Sequence, residues 1–295
     1  MKFLKMFLAG LLAFVVGSFV MLFLWIFILV GIAGSMEPTV TVKPNSILRI
    51  DFAESIADAP QTDPFADYLL KMIEQDRSIS LYQALTAIDA AASDSRITGI
   101  CLHTNGGGTI SMAGLEELRA AIETFKQSGK FVVAYNEAYG QGGYYLASAA
   151  DRIYLEPNGG LMWYGLAWNT MFYKGLLDKL GVKAEVFRPT ACKYKSAVEP
   201  FILDKMSDAN RRQMQQVVNS LWQTLTEAVS ASRGIPVERL NAVADRLEVT
   251  LPEEALRHGF VDSLIVEDQM KPVFASSGVT AARRGESAFL SLGAY

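Results

Sequence analysis

Residues 97–155 decide the fold class, and they read ITGICLHTNGGGTISMAGLEELRAAIETFKQSGKFVVAYNEAYGQGGYYLASAADRIYL. Three short apolar runs in this stretch are typical of buried strands: Ile97–Leu102, Phe131–Tyr135 and Arg152–Leu155. Two helical patterns separate them, one beginning near Ser111 and one over Tyr144–Ala150. This alternation predicts an α/β fold, with a parallel sheet, right-handed crossovers and flanking helices.

The elements on either side extend the same pattern. An alternating strand is predicted over Ser46–Phe52, and Ser80 with Gln83 forms a capping-box signal at the start of a helix. The helical stripes that should face the core are Leu81, Leu85 and Ile88 in that helix, and Leu115, Leu118, Ile122 and Phe125 in the helix that Gly129 ends.

The later part of the chain predicts one more strand and two more helices. The strand is expected around Ala184–Phe187, and the short helix over Pro252–His258. The long amphipathic helix, Ser207–Ser230, should pack on the core or on a partner subunit through Met214, Val217, Val218, Leu221, Leu225 and Val229.

An uncharged N-terminal run predicts one membrane-spanning helix. Residues 6–35 contain no charged side chain, and about 20 apolar residues suffice to cross a bilayer. A cleaved signal peptide is the alternative, but its apolar region is only about 7–15 residues long. Lys2 and Lys5 precede the run, which places the N-terminus in the cytoplasm and the bulk outside it.

Composition excludes several classes of function. The net charge is −4, and the chain has no basic stripe or Arg-rich run of the kind that binds nucleic acid. The two cysteines, Cys101 and Cys192, do not form a disulfide framework, and Cys101 reads as a core residue. The only histidines, His103 and His258, rule out a His-rich metal site and argue against a Ser-His-Asp triad.

Two glycine turns lie between a strand and a helix. Asn105–Gly108 is a plain tight turn or a site where backbone N–H groups could bind an anion or an oxyanion. Gln141–Tyr144 has the shape of a turn that carries a nucleophile over a helix N-terminus. The position of that nucleophile holds Gln141, which cannot attack a carbonyl.

The segment Cys192–Phe201, CKYKSAVEPF, carries the chemistry. In one interpretation Lys193 and Lys195 are solvated lysines on an edge strand. In the other, one lysine is partly buried, because desolvation lowers the pKa of an amine and lets it take a proton from a serine hydroxyl. Such a serine–lysine dyad needs no histidine.

Lys193–Phe201 resembles the lysine motif of the signal peptide peptidase A family in its long form, the protease IV type. The stretches Gly142–Ser148 and Tyr173–Leu180 and the N-terminal anchor also resemble that family, over about residues 1–264. The resemblance implies a ClpP/crotonase fold in two tandem copies, the first giving a general-base lysine and the second a nucleophilic serine. It also implies no metal or organic cofactor.

The resemblance assigns the catalytic role to Lys195. Gln141 stands where the second copy would carry its serine, and Gly107 and Gly108 resemble oxyanion-hole glycines, a role that should belong to the serine-bearing copy. Cys192 departs from the family, where glycine is common. Within 295 residues the serine-bearing copy is expected to be absent. The other serines near the motifs, Ser148 and Ser196, do not precede a Gly-Gly turn.

These observations predict five segments: a cytoplasmic N-terminus (1–5), a transmembrane anchor (6–35), a linker (36–45), a ClpP/crotonase-like peptidase domain (46–265) and the start of an inter-domain segment (266–295). The expected location is the bacterial inner membrane, single-pass, with the bulk of the chain periplasmic.

The expected function is that of an oligomeric, membrane-bound serine endopeptidase that degrades cleaved signal peptides. This chain would supply its general-base lysine. The alternatives are a truncated, non-catalytic assembly module of the same fold and a crotonase-type acyl-CoA enzyme. An exported location, where CoA thioesters are not expected, argues against the last.

Overall fold

The computed structural model describes residues 2–35, 42–51, 56–57, 79–103, 110–189, 192–277 and 289–295, with the backbone alone for 29–35. The chain forms two compact units, residues 1–41 and residues 42–295. The glycine turn at 105–108, most of the predicted linker and most of the loop predicted between the first strand and Ile79 lie outside the described residues.

The described residues of the first unit form one helix, α1 (Lys2–Ser35). Its segment Lys2–Ile28 is long and apolar enough to cross a membrane, and its side chains are all exposed in the folded chain. A helix of this length and composition is compatible with a membrane anchor or a signal sequence.

The second unit is built on a six-stranded sheet in which every pair of strands is parallel, as predicted. Its order is β7-β6-β5-β4-β1-β8, and β2 pairs with β3 in a separate parallel ladder. The strands are β1 (Ser46–Asp51), β2 (Ile56–Ala57), β3 (Ile79–Ser80), β4 (Ile97–His103), β5 (Phe131–Tyr139), β6 (Arg152–Leu161), β7 (Ser263–Leu264) and β8 (Phe289–Ser291).

Helices connect and flank these strands. They are α2 (Leu81–Ser93), α3 (Met112–Lys126), α4 (Gln141–Ala147), α5 (Lys174–Lys179), α6 (Glu199–Ile202), α7 (Asp208–Arg233), α8 (Val237–Arg246), α9 (Pro252–Arg257), a 3₁₀ turn (Glu267–Gln269) and α10 (Met270–Ser276). The capping box at the start of α2 is confirmed: the Ser80 hydroxyl accepts from the Gln83 N–H, and the Gln83 carboxamide accepts from the Ser80 N–H.

The core lies mainly on one face of the sheet, under α2, α3 and α4. The predicted stripe of α3 is confirmed, since Leu115, Leu118, Ile122 and Phe125 are all buried. On the other face, α10 covers a smaller apolar cluster that contains Cys101, as expected for a core residue. Burying apolar side chains on both faces is what a parallel sheet requires.

The long helix α7 packs on the core of this chain through its second half only. Leu225 and Val229 are buried, but Val217 and Leu221, on the same apolar stripe, remain exposed. The stripe therefore covers the core only through its C-terminal half.

Residues 266–295 are predicted to begin a segment between domains, and parts of this range belong to the second unit. They contribute α10 and the edge strand β8, whose Leu290 pairs with Leu48 of β1. A three-residue strand is too short to show a period of its own, so its apolar pattern could not identify it.

A close contact between two strands fixes one glycine. The register of β5 against β6 shifts between Asn136 and Ala138, and a Cβ at Gly159 would lie 1.7 Å from the carbonyl oxygen of Glu137. The neighbouring Gly160 has open space at the same position. Only glycine at position 159 lets the two backbones approach this closely.

Candidate active site

The lysine motif forms a turn, not the predicted strand. The Cys192 N–H donates to the Pro189 carbonyl at 3.1 Å, and the Lys195 N–H donates to the Cys192 carbonyl at 3.0 Å. At the far side of this turn the Arg188 guanidinium donates to the Lys195 carbonyl at 3.0 Å. The chain therefore reverses direction at Lys193, Tyr194 and Lys195, although their alternation is typical of a strand.

The side chain of Lys195 is exposed, where the sequence-based argument required it to be partly buried. Lys193 is exposed as well, with its ammonium 5.2 Å from the centre of the Tyr194 ring. The backbone of Lys195 is thus held on both sides while its amine is open to another molecule.

A buried carboxylate fixes the C-terminal side of the motif. Glu199 is 1% exposed and accepts hydrogen bonds from the Ser207 N–H (3.1 Å), the Ser207 hydroxyl (2.6 Å) and the Asn210 amide (2.9 Å). Burial acts to raise the pKa of Glu199, but these hydrogen bonds outweigh it and hold the pKa below its ordinary value. Glu199 therefore ties the lysine turn to the first turn of α7.

Two of the sequence stretches that resemble the family, Tyr173–Leu180 and Lys193–Phe201, contact one another. The Tyr173 N–H donates to the Pro200 carbonyl, and the Tyr173 and Phe201 rings stack with their centroids 5.9 Å apart. Helix α5, which begins just after Tyr173, is thereby packed against α6 at the end of the lysine motif.

Gln141 has a structural role at the position where a nucleophile was sought. Its carboxamide oxygen accepts from the N–H groups of Tyr164 (3.0 Å) and Gly165 (2.9 Å), and its amide donates to the Gly165 carbonyl (2.9 Å). Gly165 has φ +84°, a conformation that glycine adopts readily. The side chain pins the chain just beyond β6 to the start of α4.

Ser148 is not accessible to a substrate. It is 1% exposed, its hydroxyl donates to the Tyr145 carbonyl, and it accepts from the Arg119 guanidinium, each at 2.8 Å. Arg119 also bonds the Tyr145 carbonyl and Ser232, so it joins α3, α4 and α7. Ser196 is partly exposed in the lysine turn.

A polar cluster lies on the α10 side of the sheet. The Arg49 guanidinium is 2.9 Å from His103 Nδ1 and 3.0 Å from the Asp51 carboxylate, and the His103 ring stacks on Tyr135. Burial first, and then the charge of Arg49, lower the pKa of His103, while burial raises the pKa of the nearby Cys101 thiol to about 12. A thiol in that state is not a nucleophile at neutral pH.

The described residues contain no group of three or more His, Cys, Asp or Glu side chains that could hold a metal ion. Asn105–Gly108, the first glycine turn, lies outside them. Both cysteines are free, and Cys192 is only partly buried.

The parallel sheet with its flanking helices is a ClpP-like fold, here with a lysine-bearing turn. A model of peptidase family S49 matches residues 124–278, more than half of the chain, and this range contains Gln141, Lys195 and Glu199. The chain belongs to peptidase family S49.

Curated relatives agree with this assignment. Protease 4 of Salmonella typhi is 38% identical over 229 residues, which are 74% of this chain and 37% of that protein. Protease 4 of Haemophilus influenzae is 38% identical over 164 residues, 56% of this chain and 26% of that protein. The chloroplastic serine protease SPPA of Arabidopsis thaliana is 31% identical over 160 residues, 53% and 23% of the two chains. The matched part of the chain thus spans about a third or less of the length of these relatives.

Sequence reasoning had found the lysine motif and the absence of a nucleophile at Gln141, but not the hydrogen bonds that fix them. The one available signal for Glu199 was the pairing of a glutamate with the N-cap residue Ser207 and a following Asn210. Nothing in the sequence marked Gln141 as the partner of residues 164 and 165.

Proposed function

We propose that this chain supplies the general base, Lys195, of a membrane-bound serine endopeptidase that degrades cleaved signal peptides. The serine nucleophile would belong to another fold unit of the assembled enzyme, and the reaction would pass through an acyl-enzyme on that serine. The base would take the serine proton during acylation and return it to the leaving amine.

The lysine turn carries this proposal. Its backbone is fixed by Arg188 on one side and by the Glu199 network on the other, while the amine itself is bonded to nothing in the described chain. A fixed backbone and an open amine suit a base that works on a group brought by a second unit. The Gln141 carboxamide is occupied by hydrogen bonds to residues 164 and 165, which is consistent with a nucleophile located elsewhere.

The membrane location rests on α1. Its length and exposed apolar surface favour an anchor, and Lys2 and Lys5 favour a cytoplasmic N-terminus with the second unit in the periplasm. The substrate class rests on similarity to the putative signal peptide peptidase SppA of Enterococcus faecium, 24% identical over 182 residues. Peptides released from exported proteins would be available at that membrane.

The test compares two neighbouring lysines. In the complete gene product, Lys195→Ala should lower the rate of peptide cleavage by about 10²–10⁴-fold, the usual contribution of a general base. Lys193→Ala, an equally exposed lysine in the same turn, should leave the rate within about two-fold. Cleavage that survives Lys195→Ala at the wild-type rate would refute the assignment.

A non-catalytic assembly module is the second candidate, and the inaccessible Ser148 together with the exposed Lys195 favours it for the chain alone. Such a module would keep the fold and the subunit contacts of the family. The purified chain should then hydrolyse no peptide ester. Turnover that a serine-directed inhibitor abolishes would contradict this candidate.

A further inference from the structure

Arg188 lies where the chain enters the lysine turn, and its guanidinium reaches across to the far end of that turn. It donates to the Lys195 carbonyl at 3.0 Å, seven residues further along the chain. The bond therefore closes residues 188–195 into a loop that ends on the proposed base. Exposed arginines often contact a nearby carbonyl, but this carbonyl belongs to the base residue itself.

Packing does not hold the backbone of the turn. The side chains of Lys193, Tyr194 and Lys195 are all exposed, and that of Cys192 is only partly buried. The backbone bonds from the Cys192 N–H to the Pro189 carbonyl and from the Lys195 N–H to the Cys192 carbonyl are local. They define the shape of the turn, but a bond from outside it is needed to fix where the turn lies.

Glu199 fixes the turn from its C-terminal side. Its N–H donates to the carbonyl of Ser196, the residue after Lys195, at 2.9 Å, and its buried carboxylate is bonded to the first turn of α7. The turn is therefore attached to the body of the second unit just beyond the base. Arg188 holds the base residue itself, from the other side.

The charges of these two side chains act on one another across the turn. Burial raises the pKa of Glu199, hydrogen bonds from Ser207 and Asn210 lower it, and the positive charge of Arg188 lowers it further. Since opposite charges attract, the guanidinium and the carboxylate stabilise the same conformation of the turn.

The backbone of a catalytic lysine needs such support because its amine lies at the end of a flexible four-carbon stem. A backbone that also shifts adds a second error to the position of the amine. A misplacement of about 1 Å in a catalytic group can lower the rate about 100-fold. Holding the Lys195 carbonyl removes this second error and leaves the amine open to the nucleophile.

We propose that Arg188 is a positioning residue for the reaction: through the Lys195 carbonyl it fixes the backbone from which the amine reaches the serine nucleophile. The inference rests on the proposed function, in which Lys195 is the general base. Arg188 acts through the lysine and does not contact the reacting atoms. The competing role is direct binding of a substrate carboxylate by the guanidinium, which pairs well with that group.

Measurements of kcat and KM separate these two roles. The complete gene product is assayed on one peptide with a free C-terminus and on the same peptide with an amidated one. Arg188→Gln should lower kcat about ten-fold on both and leave KM within about two-fold, because the base is used in the chemical step. Arg188→Lys, whose ammonium can donate to the same carbonyl, should recover kcat to within about three-fold of wild type. An unchanged kcat in Arg188→Gln, or a rise in KM confined to the peptide with the free C-terminus, would overturn the inference.

Two controls test less specific causes. Lys183→Gln removes another exposed cation from the same segment and should leave kcat within about two-fold of wild type. The Tm of Arg188→Gln should stay within about 2 °C of wild type, because the side chain is exposed. Equal losses of kcat in Arg188→Gln and Lys183→Gln would assign the effect to net charge, and a larger fall in Tm would assign it to the fold; either result would contradict positioning.

A double variant distinguishes failure of this inference from failure of the proposed function. The rate at which a fluorophosphonate labels the active-site serine is measured in Lys195→Ala and in Lys195→Ala/Arg188→Gln. Equal rates are expected, because without the amine Arg188 has nothing to position. A further ten-fold loss in the double variant would refute the inference and leave Lys195 as the base. Labelling of Lys195→Ala at the wild-type rate would reject the proposed function and the inference with it.

Discussion

Replacing Glu199 by glutamine should loosen the lysine turn without touching the lysine. Each hydrogen bond to a charged group contributes about 1.5–3 kcal/mol, and Glu199 accepts three of them while it is 1% exposed. Glutamine keeps one acceptor oxygen and turns an NH₂ group toward the other donors. We therefore expect Glu199→Gln to lower the free energy of unfolding by about 3 kcal/mol.

Thermal unfolding of the full chain in detergent, followed by far-UV circular dichroism, measures this loss. A domain of this size should lose roughly 6–12 °C in Tm. Asp204→Asn is the matched control. The Asp204 side chain is 76% exposed, and its carboxylate comes no closer than 3.9 Å to the Lys174 ammonium, so the ion pair is weak and Tm should change by less than about 2 °C. Equal Tm values for the two variants would refute the role given to Glu199.

The same comparison has a defined pH dependence. Because the pKa of Glu199 is lowered in the folded chain, its stabilising effect is complete above the ordinary carboxylate range and is lost as the pH falls through the folded pKa. The difference in stability between wild type and Glu199→Gln should therefore be largest near pH 7 and shrink in acid. A difference that stays constant down to acid pH would contradict the charged, hydrogen-bonded state.

Three further substitutions have defined outcomes. Gly159→Ala should lower the free energy of unfolding by about 2–4 kcal/mol in denaturant titrations, whereas Gly160→Ala should be neutral within about 1 kcal/mol, because only the first Cβ meets backbone. Gln141→Ala should raise the rate of tryptic cleavage within residues 164–189 about ten-fold, and Gln141→Glu, which keeps both accepted bonds, should raise it less; equal rates would contradict the structural role given to Gln141. Burial first, and then the charge of Arg49, lower the pKa of His103 in the folded chain. Below the ordinary pKa of 6.5 the unfolded chain therefore binds more protons than the folded chain, and the wild-type protein should lose stability as the pH falls. His103→Gln should remove this contribution to the pH dependence of the free energy of unfolding, measured in urea between pH 7.5 and 5. An unchanged pH dependence would contradict the effect assigned to His103.

Local patterns predicted the framework of the fold. Apolar runs near Ile97, Phe131 and Arg152 became neighbouring parallel strands, and the stripe from Leu115 to Phe125 became the buried face of a helix. These elements bury their side chains within one chain, so the periods of their apolar residues suffice to identify them.

The lysine turn shows where local pattern fails. The alternation of Lys193, Tyr194 and Lys195 matched a strand, yet hydrogen bonds from the Lys195 N–H to the Cys192 carbonyl and from the Arg188 guanidinium to the Lys195 carbonyl hold the segment as a turn. Individual hydrogen bonds of this kind leave no period in the sequence. Likewise, residues 184–187 have the composition of a strand, but they form no strand in the structure.

Exposure could not be predicted for the same reason. The first half of α7 carries apolar side chains in the predicted stripe, and Val217 and Leu221 of this stripe remain exposed among the described residues. The sequence pattern identifies an apolar face that requires burial. It does not show whether the residues that bury this face belong to the same chain or to another.

The reaction of the active-site serine with a fluorophosphonate tests the central claim most directly, since labelling requires an activated nucleophile but no turnover. In the complete gene product, Lys195→Ala should slow labelling by at least about 100-fold while Lys193→Ala labels at the wild-type rate. Labelling of the Lys195→Ala enzyme at the wild-type rate would show that the serine is activated by some other group, and the account of this chain as the donor of the base would be wrong.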